Sequence, residues 1–233
     1  MKWNGVMPAM TTAFNPDFSI DHAFVGRHAQ WLIENGCKGI ICLGSLAEAA
    51  TLSFAEKVEV LRTVVKALNG SAPVVSAISA LSTSEAVALA EAAHQEGCSG
   101  LMILPQYVYK GDWRENKAHI AAVLKATPLP GMLYNNPVAY GVDYLPEQIA
   151  EFAAEFSNFA AVKESSTDVR RVTAIRSLLG DRRVPNDRET RRDDSRACRS
   201  ERIPRRTCDI PHCVGRTAVI HLLFTRHHGT KTI

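Results

Sequence analysis

A chain of 233 residues, 46% hydrophobic and 22% charged, holds enough apolar side chains for a substantial core and excludes wholesale disorder. No apolar run reaches the roughly 18–20 residues needed to cross a bilayer, and Met1-Lys2-Trp3-Asn4 opens no secretory hydrophobic segment. The expectation is a cytoplasmic protein without membrane contact. The net charge of +3 conceals two unlike parts: residues 182–233 carry 12 Arg and 1 Lys against 6 acids, a net of +7, which leaves −4 for residues 1–181. Six cysteines in a chain of this length do not make a disulfide scaffold, and Cys37, Cys42 and Cys98, in or beside apolar runs, read as small buried thiols.

In chain order, short runs rich in Val, Ile and Leu appear at Gly5–Met10, Gly39–Gly44, Val74–Ser79, Gly100–Pro105, Gly131–Asn135 and Phe159–Lys163. They lack alternating polar residues, as expected of parallel strands covered on both faces. Amphipathic stretches lie between them. Ser53-Phe54-Ala55-Glu56 and Ser82-Thr83-Ser84-Glu85 read as capping boxes, and Asp112 with Glu115 as a weaker version. Pro146 suits a first helical turn. Gly36, Gly70, Gly97 and Gly180 follow helical stretches where a left-handed cap is needed. Six strand–helix units of this kind mean a parallel α/β sheet, either an open doubly wound sheet or a closed barrel. No G-x-G-x-x-G follows the first run, which weakens a dinucleotide-binding reading. Polar residues gather instead at strand C-termini: Thr11-Thr12, Ser45, Tyr107, Tyr134-Asn135-Asn136 and Lys163-Glu164-Ser165. Barrel active sites are built from that end. The predicted fold is therefore a (β/α)8 TIM-barrel type, incomplete because only six of eight units are legible, spanning residues 1–181.

Past Arg182 the pattern stops. Residues 182–210 are dense in Arg, Asp, Ser and Thr without apolar period, and one apolar run follows at Thr217–Phe224. Arginine without lysine is how a GC-rich coding sequence reads out of frame, so residues 182–233 are expected to be an aberrant basic tail and not a separate domain. A nucleic-acid-binding arm is the other reading, although aromatics for stacking bases and a docking motif are missing. Cys208, His212, Cys213, His227 and His228 are of zinc-ligating types, but Cys-x3-His-Cys matches no closed-site spacing. Neither a metal nor a nucleic-acid partner is expected.

Three segments could carry chemistry. Lys163 ends the apolar run Phe159-Ala160-Ala161-Val162. An amine at the mouth of an apolar barrel is desolvated, its pKa falls, and the free base can attack a carbonyl; the alternatives are a pair with Glu164 or a side chain reaching to solvent. Glu164, adjacent in a strand, should point to the opposite face. Tyr134, in "GMLYNNP", could shuttle protons, or simply pack with a hydrogen-bonded hydroxyl. In "CLGSLAEAATLS", Gly44 allows a sharp turn, the amides that follow can face an anion, and Ser45 adds a hydroxyl.

In this order and at these spacings the segments resemble the dihydrodipicolinate synthase / N-acetylneuraminate lyase family of class I aldolases, over about residues 3–182. The resemblance implies a (β/α)8 barrel, assembled as a dimer or tetramer, that binds pyruvate or another 2-keto acid as a Schiff base without cofactor or metal. Lys163 in "AVKESS" matches the Schiff-base lysine. Tyr134 in "YNNP" matches the proton-relaying tyrosine. Gly44-Ser45-Leu46-Ala47-Glu48 matches the loop whose hydroxyls and amides hold the substrate carboxylate. Tyr107 in "LPQYVYKG" looks like the second relay tyrosine, which in the synthase branch reaches across the dimer interface.

Two departures refine the expectation. Leu46 and Ala47 stand where a second hydroxyl residue and a glycine are usual, so carboxylate binding would rest on Gly44, Ser45 and the Leu46 amide. Ala139, followed by Tyr140, stands where the synthase branch has an arginine for the second substrate's carboxylate. That points away from aspartate semialdehyde and toward a sugar-derived or hydroxyproline-derived 2-keto acid, through an aldolase, a dehydratase or a deaminating hydrolase. The last two strand–helix units should follow near residue 183 and are not legible. An open barrel exposes sheet edges and apolar interior, so the chain as written is expected to have little or no activity.

Overall fold

The computed structural model describes residues 1–179 and the backbone of residues 220–223. Its sheet holds β1 (Ile40–Cys42), β2 (Val74–Ile78), β3 (Gly100–Ile103), β4 (Gly131–Asn135), β5 (Phe159–Glu164) and β6 (Ile220–Leu223), ordered β1-β2-β3-β4-β5-β6. The first five are parallel. Between them run α2 (Phe54–Leu68), α3 (Thr83–Gln95), α4 (Trp113–Ala126) and α6 (Pro146–Glu155), with α1 (His22–Glu34) before β1, the single turn α5 (Pro137–Tyr140) after β4 and α7 (Arg170–Leu179) after β5. Strand order that follows chain order, with a helix in each crossover, is the winding of a barrel; a doubly wound sheet reverses its order at a switch point. The open-sheet alternative is thereby excluded.

Strands β1 through β4 are buried on both faces, as their unbroken apolar runs require, with every residue of the four buried. Helix ends follow local chemistry. Ser53 and Glu56 form the reciprocal cap of α2, and Asp112 and Glu115 do the same for α4. At α3 only half of the expected box exists. Ser82 accepts from the Glu85 amide at 3.2 Å, but the Glu85 carboxylate takes Lys57 Nζ at 3.3 Å. A buried ammonium offers a carboxylate more than a backbone amide does. Gly36, Gly70 and Gly97 adopt the positive φ read from their positions; Gly180 lies outside the described residues.

The run Gly5–Met10 is a correction to the sequence reading. It lies parallel beside β1, with Ile41 N donating to Pro8 O and Met10 N donating to Ile41 O, both at 2.9 Å, but forms a single bridge, Ala9 with Ile41, and not a strand. Pro8 has no N–H to continue the ladder. A second difference lies at the other edge. Within the apolar run at 217–224, Ile220–Leu223 pairs antiparallel with β5, opposite Lys163 at His221, whereas barrel strands run parallel. The tail's candidate zinc ligands, and the basic residues that suggested a nucleic-acid arm, lie outside the described residues.

One irregularity positions the site. Gly131 pairs with Phe159, but Met132 pairs with Ala161, so Ala160 is skipped and the register shifts by one. Strict alternation would put Lys163 on the face of Phe159, whose ring stacks on Phe152 of α6 at 5.8 Å between centroids. The bulge turns it instead to stand beside Tyr134, and sets Glu164 beside Asn135.

Candidate active site

Lys163 is 6% exposed, and its ammonium lies 4.1 Å from the centroid of the Tyr134 ring. No carboxylate among the described residues pairs with it; burial alone pushes the amine down from 10.5 to about 8. A charge taken out of water without an ionic partner loses hydration, and the neutral base gains. Contact with a π face returns part of that loss. Near neutral pH a useful fraction of this amine is therefore free to act as a nucleophile.

Asn136 acts on both sides of Tyr134. Its Oδ1 caps α5 by accepting from Ala139 N at 3.2 Å, and its Nδ2 donates to the Tyr134 hydroxyl at 3.0 Å. Pro137 supplies the preset first residue of that turn, and Gly141, at φ 68, ends it. Four residues are enough to bring Tyr140 back over the site, where its ring meets Tyr134 edge-on at 5.7 Å and its hydroxyl hydrogen-bonds Ser45 Oγ. Burial raises the Tyr140 phenol above its ordinary value, and the bond from Ser45 offsets part of the rise.

The loop after β1 supplies the opposite wall. Gly44 precedes the 3-10 turn Ser45–Ala47. The amides of Ala47 and Glu48 are spent inside that turn, on Gly44 O at 2.9 Å and Ser45 O at 3.2 Å, which leaves the Ser45 and Leu46 amides as its outward donors. The Leu46 side chain is exposed, so only its backbone can serve the site. Thr12 ties the loop down by donating to Ala47 O at 2.8 Å.

These walls bound a cleft of about 650 Å³ lined by residues that include Gly44, Ser45, Tyr107, Lys110, Ala139 and Tyr140. Lys110 is the sole charged side chain in that lining, and no acid faces it. Lys163 and Tyr134 are not part of the wall: they sit behind Tyr140, reached through the Tyr134–Tyr140 contact. Tyr107, 37% exposed, flanks the mouth. The structure thus joins Lys163, Tyr134 and, through Tyr140, Ser45, and leaves Tyr107 at the rim.

Behind the strand ends is a second polar cluster. Asn135 Nδ2 donates to Glu164 Oε2 at 3.0 Å and to Asp143 Oδ1 at 3.2 Å, while its Oδ1 accepts from Tyr144 N at 3.0 Å. Glu164 Oε1 accepts from Ser166 N at 2.7 Å. Arg171 from α7 grips both oxygens of Asp143, at 2.5 and 2.6 Å, and holds that carboxyl below its usual range. Glu164 therefore points away from Lys163, as strand alternation predicted. Sequence reasoning missed Tyr140 and this cluster. The only prior signal for Tyr140 was Asn136-Pro137, a cap followed by a first-turn proline, which implies a helical turn but not its destination. Cys42 and Cys98 are buried, and burial raises both thiols, so neither is a poised nucleophile.

Among the described residues, no group of three His, Cys, Asp or Glu side chains could hold a metal ion, and no helix is long and apolar enough to cross a membrane. Fold and site together define part of a (β/α)8 barrel with an unpaired amine among the strand ends. A model of the dihydrodipicolinate synthetase family matches residues 2–184. The 4-hydroxy-tetrahydrodipicolinate synthase of Chelativorans sp. (strain BNC1) is 35% identical over 178 residues, 76% of this chain and 61% of that protein. The enzyme of the same name from Desulforamulus reducens is 31% identical over 174 residues, 75% and 59% of the two chains. The solved structure of dihydrodipicolinate synthase from Aquifex aeolicus superposes with TM-score 0.74 at 27% identity, covering 77% of this chain and 61% of that one. This chain belongs to the dihydrodipicolinate synthetase family, and it spans about 60% of the length of these relatives.

Proposed function

We propose that the chain is a Schiff-base-forming lyase that captures pyruvate or a related 2-keto acid on Lys163. The observation that carries this reading is an amine 6% exposed, without an ionic partner among the described residues, and 4.1 Å from the ring of a tyrosine. Condensation of the amine with the keto carbon expels water and leaves an iminium, which draws electrons from the neighbouring carbon. Loss of a proton there gives an enamine, which adds to an aldehyde; the same enamine forms when a C–C bond breaks, and it can expel a β-hydroxyl. No cofactor is required. Tyr134 moves the protons, with Tyr107 at the cleft mouth as the second tyrosine. Gly44 shapes the turn in which the Ser45 hydroxyl and the Leu46 amide receive the keto acid's carboxylate. Lys110, without an acid beside it in the cleft lining, favours an anionic substrate. The family's mode of assembly makes a homodimer or homotetramer the expected state.

Ala139 lines the cleft where the synthase branch is expected to carry an arginine. That favours a catabolic partner, a 2-keto-3-deoxy sugar acid or a hydroxyproline-derived keto acid, over aspartate semialdehyde. A second reading rests on the antiparallel β6 beside β5: an inactive family member that forms the imine but does not turn over. Expression of the full chain, incubation with pyruvate and reduction with borohydride should place one reduced pyruvate on the peptide holding Lys163, and Lys163→Met should remove it. Absence of the label, or its persistence in the variant, overturns the Schiff-base reading. Labelling without product from any of the keto acids supports the inactive reading.

A further inference from the structure

We propose that Lys110 sets the specificity of the cleft by holding a second negative charge on the substrate, which makes that substrate a short 2-keto diacid. The inference rests on the Schiff-base reading above and deepens it. Lys110 lies in the loop between β3 and α4 and is the sole charged side chain of the cleft lining. Its end is laid over Gly141, the residue after Tyr140: a Cβ built on Gly141 would collide with Lys110 Cε and Nζ. Gly141 is therefore glycine for two reasons, the left-handed backbone at φ 68 and the room it leaves for the ammonium. The acids nearest along the chain are engaged elsewhere. Asp112 and Glu115 cap α4 reciprocally, and Glu115 also accepts from the Tyr109 hydroxyl at 3.1 Å. Asp143 accepts from Arg171 and Asn135. Lys110 is thus left without an ion pair or hydrogen bond among the described residues, on the wall of a cleft that contains no acid.

The cleft then offers two unlike anion sites. The Ser45 hydroxyl and the Leu46 amide are neutral donors and receive the carboxylate beside the keto group. Lys110 brings a full charge, and its stem already rests against Gly141, so less side-chain freedom is lost when an anion arrives. The rest of the lining is largely aliphatic, with Ala49, Ala50, Val138 and Ala139 among it. Methylenes suit such a wall, whereas hydroxyls set against it give up hydrogen bonds to water without replacement. Ser45 and Tyr140 already bond each other, which leaves Ser79 and Tyr107 as the lining hydroxyls for the length of a sugar chain. A diacid with methylenes between its charges uses both anion sites and the aliphatic wall. A polyhydroxylated acid with one charge leaves Lys110 unused.

Borohydride trapping on the full chain tests this without requiring turnover. The fraction labelled at Lys163, read by mass spectrometry against keto-acid concentration, gives a half-saturating concentration for each compound. 2-Ketoglutarate is compared with 2-ketopentanoate, and 2-ketoadipate with 2-ketohexanoate; each pair shares its carbon count and differs in the terminal carboxylate. In the parent at least one diacid should half-saturate at about 5-fold lower concentration than its counterpart, the upper end for one partly solvated ion pair. Added salt should shrink that advantage. Lys110→Met should bring the pair to parity, and Lys110→Arg, which keeps the charge, should keep the preference. A 2-keto-3-deoxy sugar acid should need a higher concentration than the favoured diacid. Parity of both pairs in the parent, a preference that survives in Lys110→Met, or a sugar acid that saturates below both diacids overturns the diacid reading and leaves the Schiff base standing. A parent that no keto acid labels at Lys163 overturns the Schiff base and the diacid reading together.

Discussion

Lys163 and Glu164 are neighbours in β5, 6% and 5% exposed, and their surroundings are opposite. In front, the amine has a phenol ring beneath it and no ionic partner among the described residues. Behind, Glu164 is bonded to Asn135 and Ser166, and the cluster continues through Asp143 to Arg171. Burial is the same; compensation differs. A buried charge whose bonds are satisfied is structural, and a buried charge left unsatisfied shifts its protonation and becomes reactive.

Breaking the compensated side should cost most. Asn135→Leu deprives Glu164, Asp143 and the Tyr144 amide of partners at once, and should lower unfolding stability by about 3–5 kcal/mol, read from urea unfolding. Removing the uncompensated side should do the reverse. Between about 8 and 10.5 the unfolded chain protonates Lys163 while the folded chain does not, so the cost of burying the amine is absent above about 10.5 and complete below about 8. At ~1.4 kcal/mol per pH unit, Lys163→Met should gain roughly 3 kcal/mol at pH 7, and the gain should vanish as pH rises through that window. Melting curves from pH 7 to 10.5 check this; a variant less stable than the parent at pH 7 would mean that the amine is compensated after all. The same sign governs capture: the rate of imine formation at fixed pyruvate should rise toward pH 8 and level off above it. The smallest effect is at the rim of the rear cluster. Arg171→Met should cost about 1 kcal/mol at pH 7, because the Asp143–Arg171 pair is partly solvated. Asp143 is held below its ordinary value, so that contribution should fade as pH drops through the carboxylate range.

Much of this architecture could be read from the chain. Unbroken apolar runs announced parallel strands, the caps at Ser53 and Asp112 announced helices, and a lysine ending an apolar run announced a desolvated amine. Where reading failed, a longer-range competitor decided. Pro8 kept Gly5–Met10 out of the ladder, and Lys57 drew Glu85 away from its cap.

What the sequence by itself determined is the set of local preferences: alternation of strand and helix, and chemistry gathered at the strand ends, because these depend on each residue's own burial and backbone tendencies. Only the tertiary structure decided which side chains meet. The skipped Ala160 turns Lys163 to the face of Tyr134, and one turn of helix carries Tyr140 to Ser45. Register is a property of two strands together, and a shift of one residue reverses the face of every side chain beyond it.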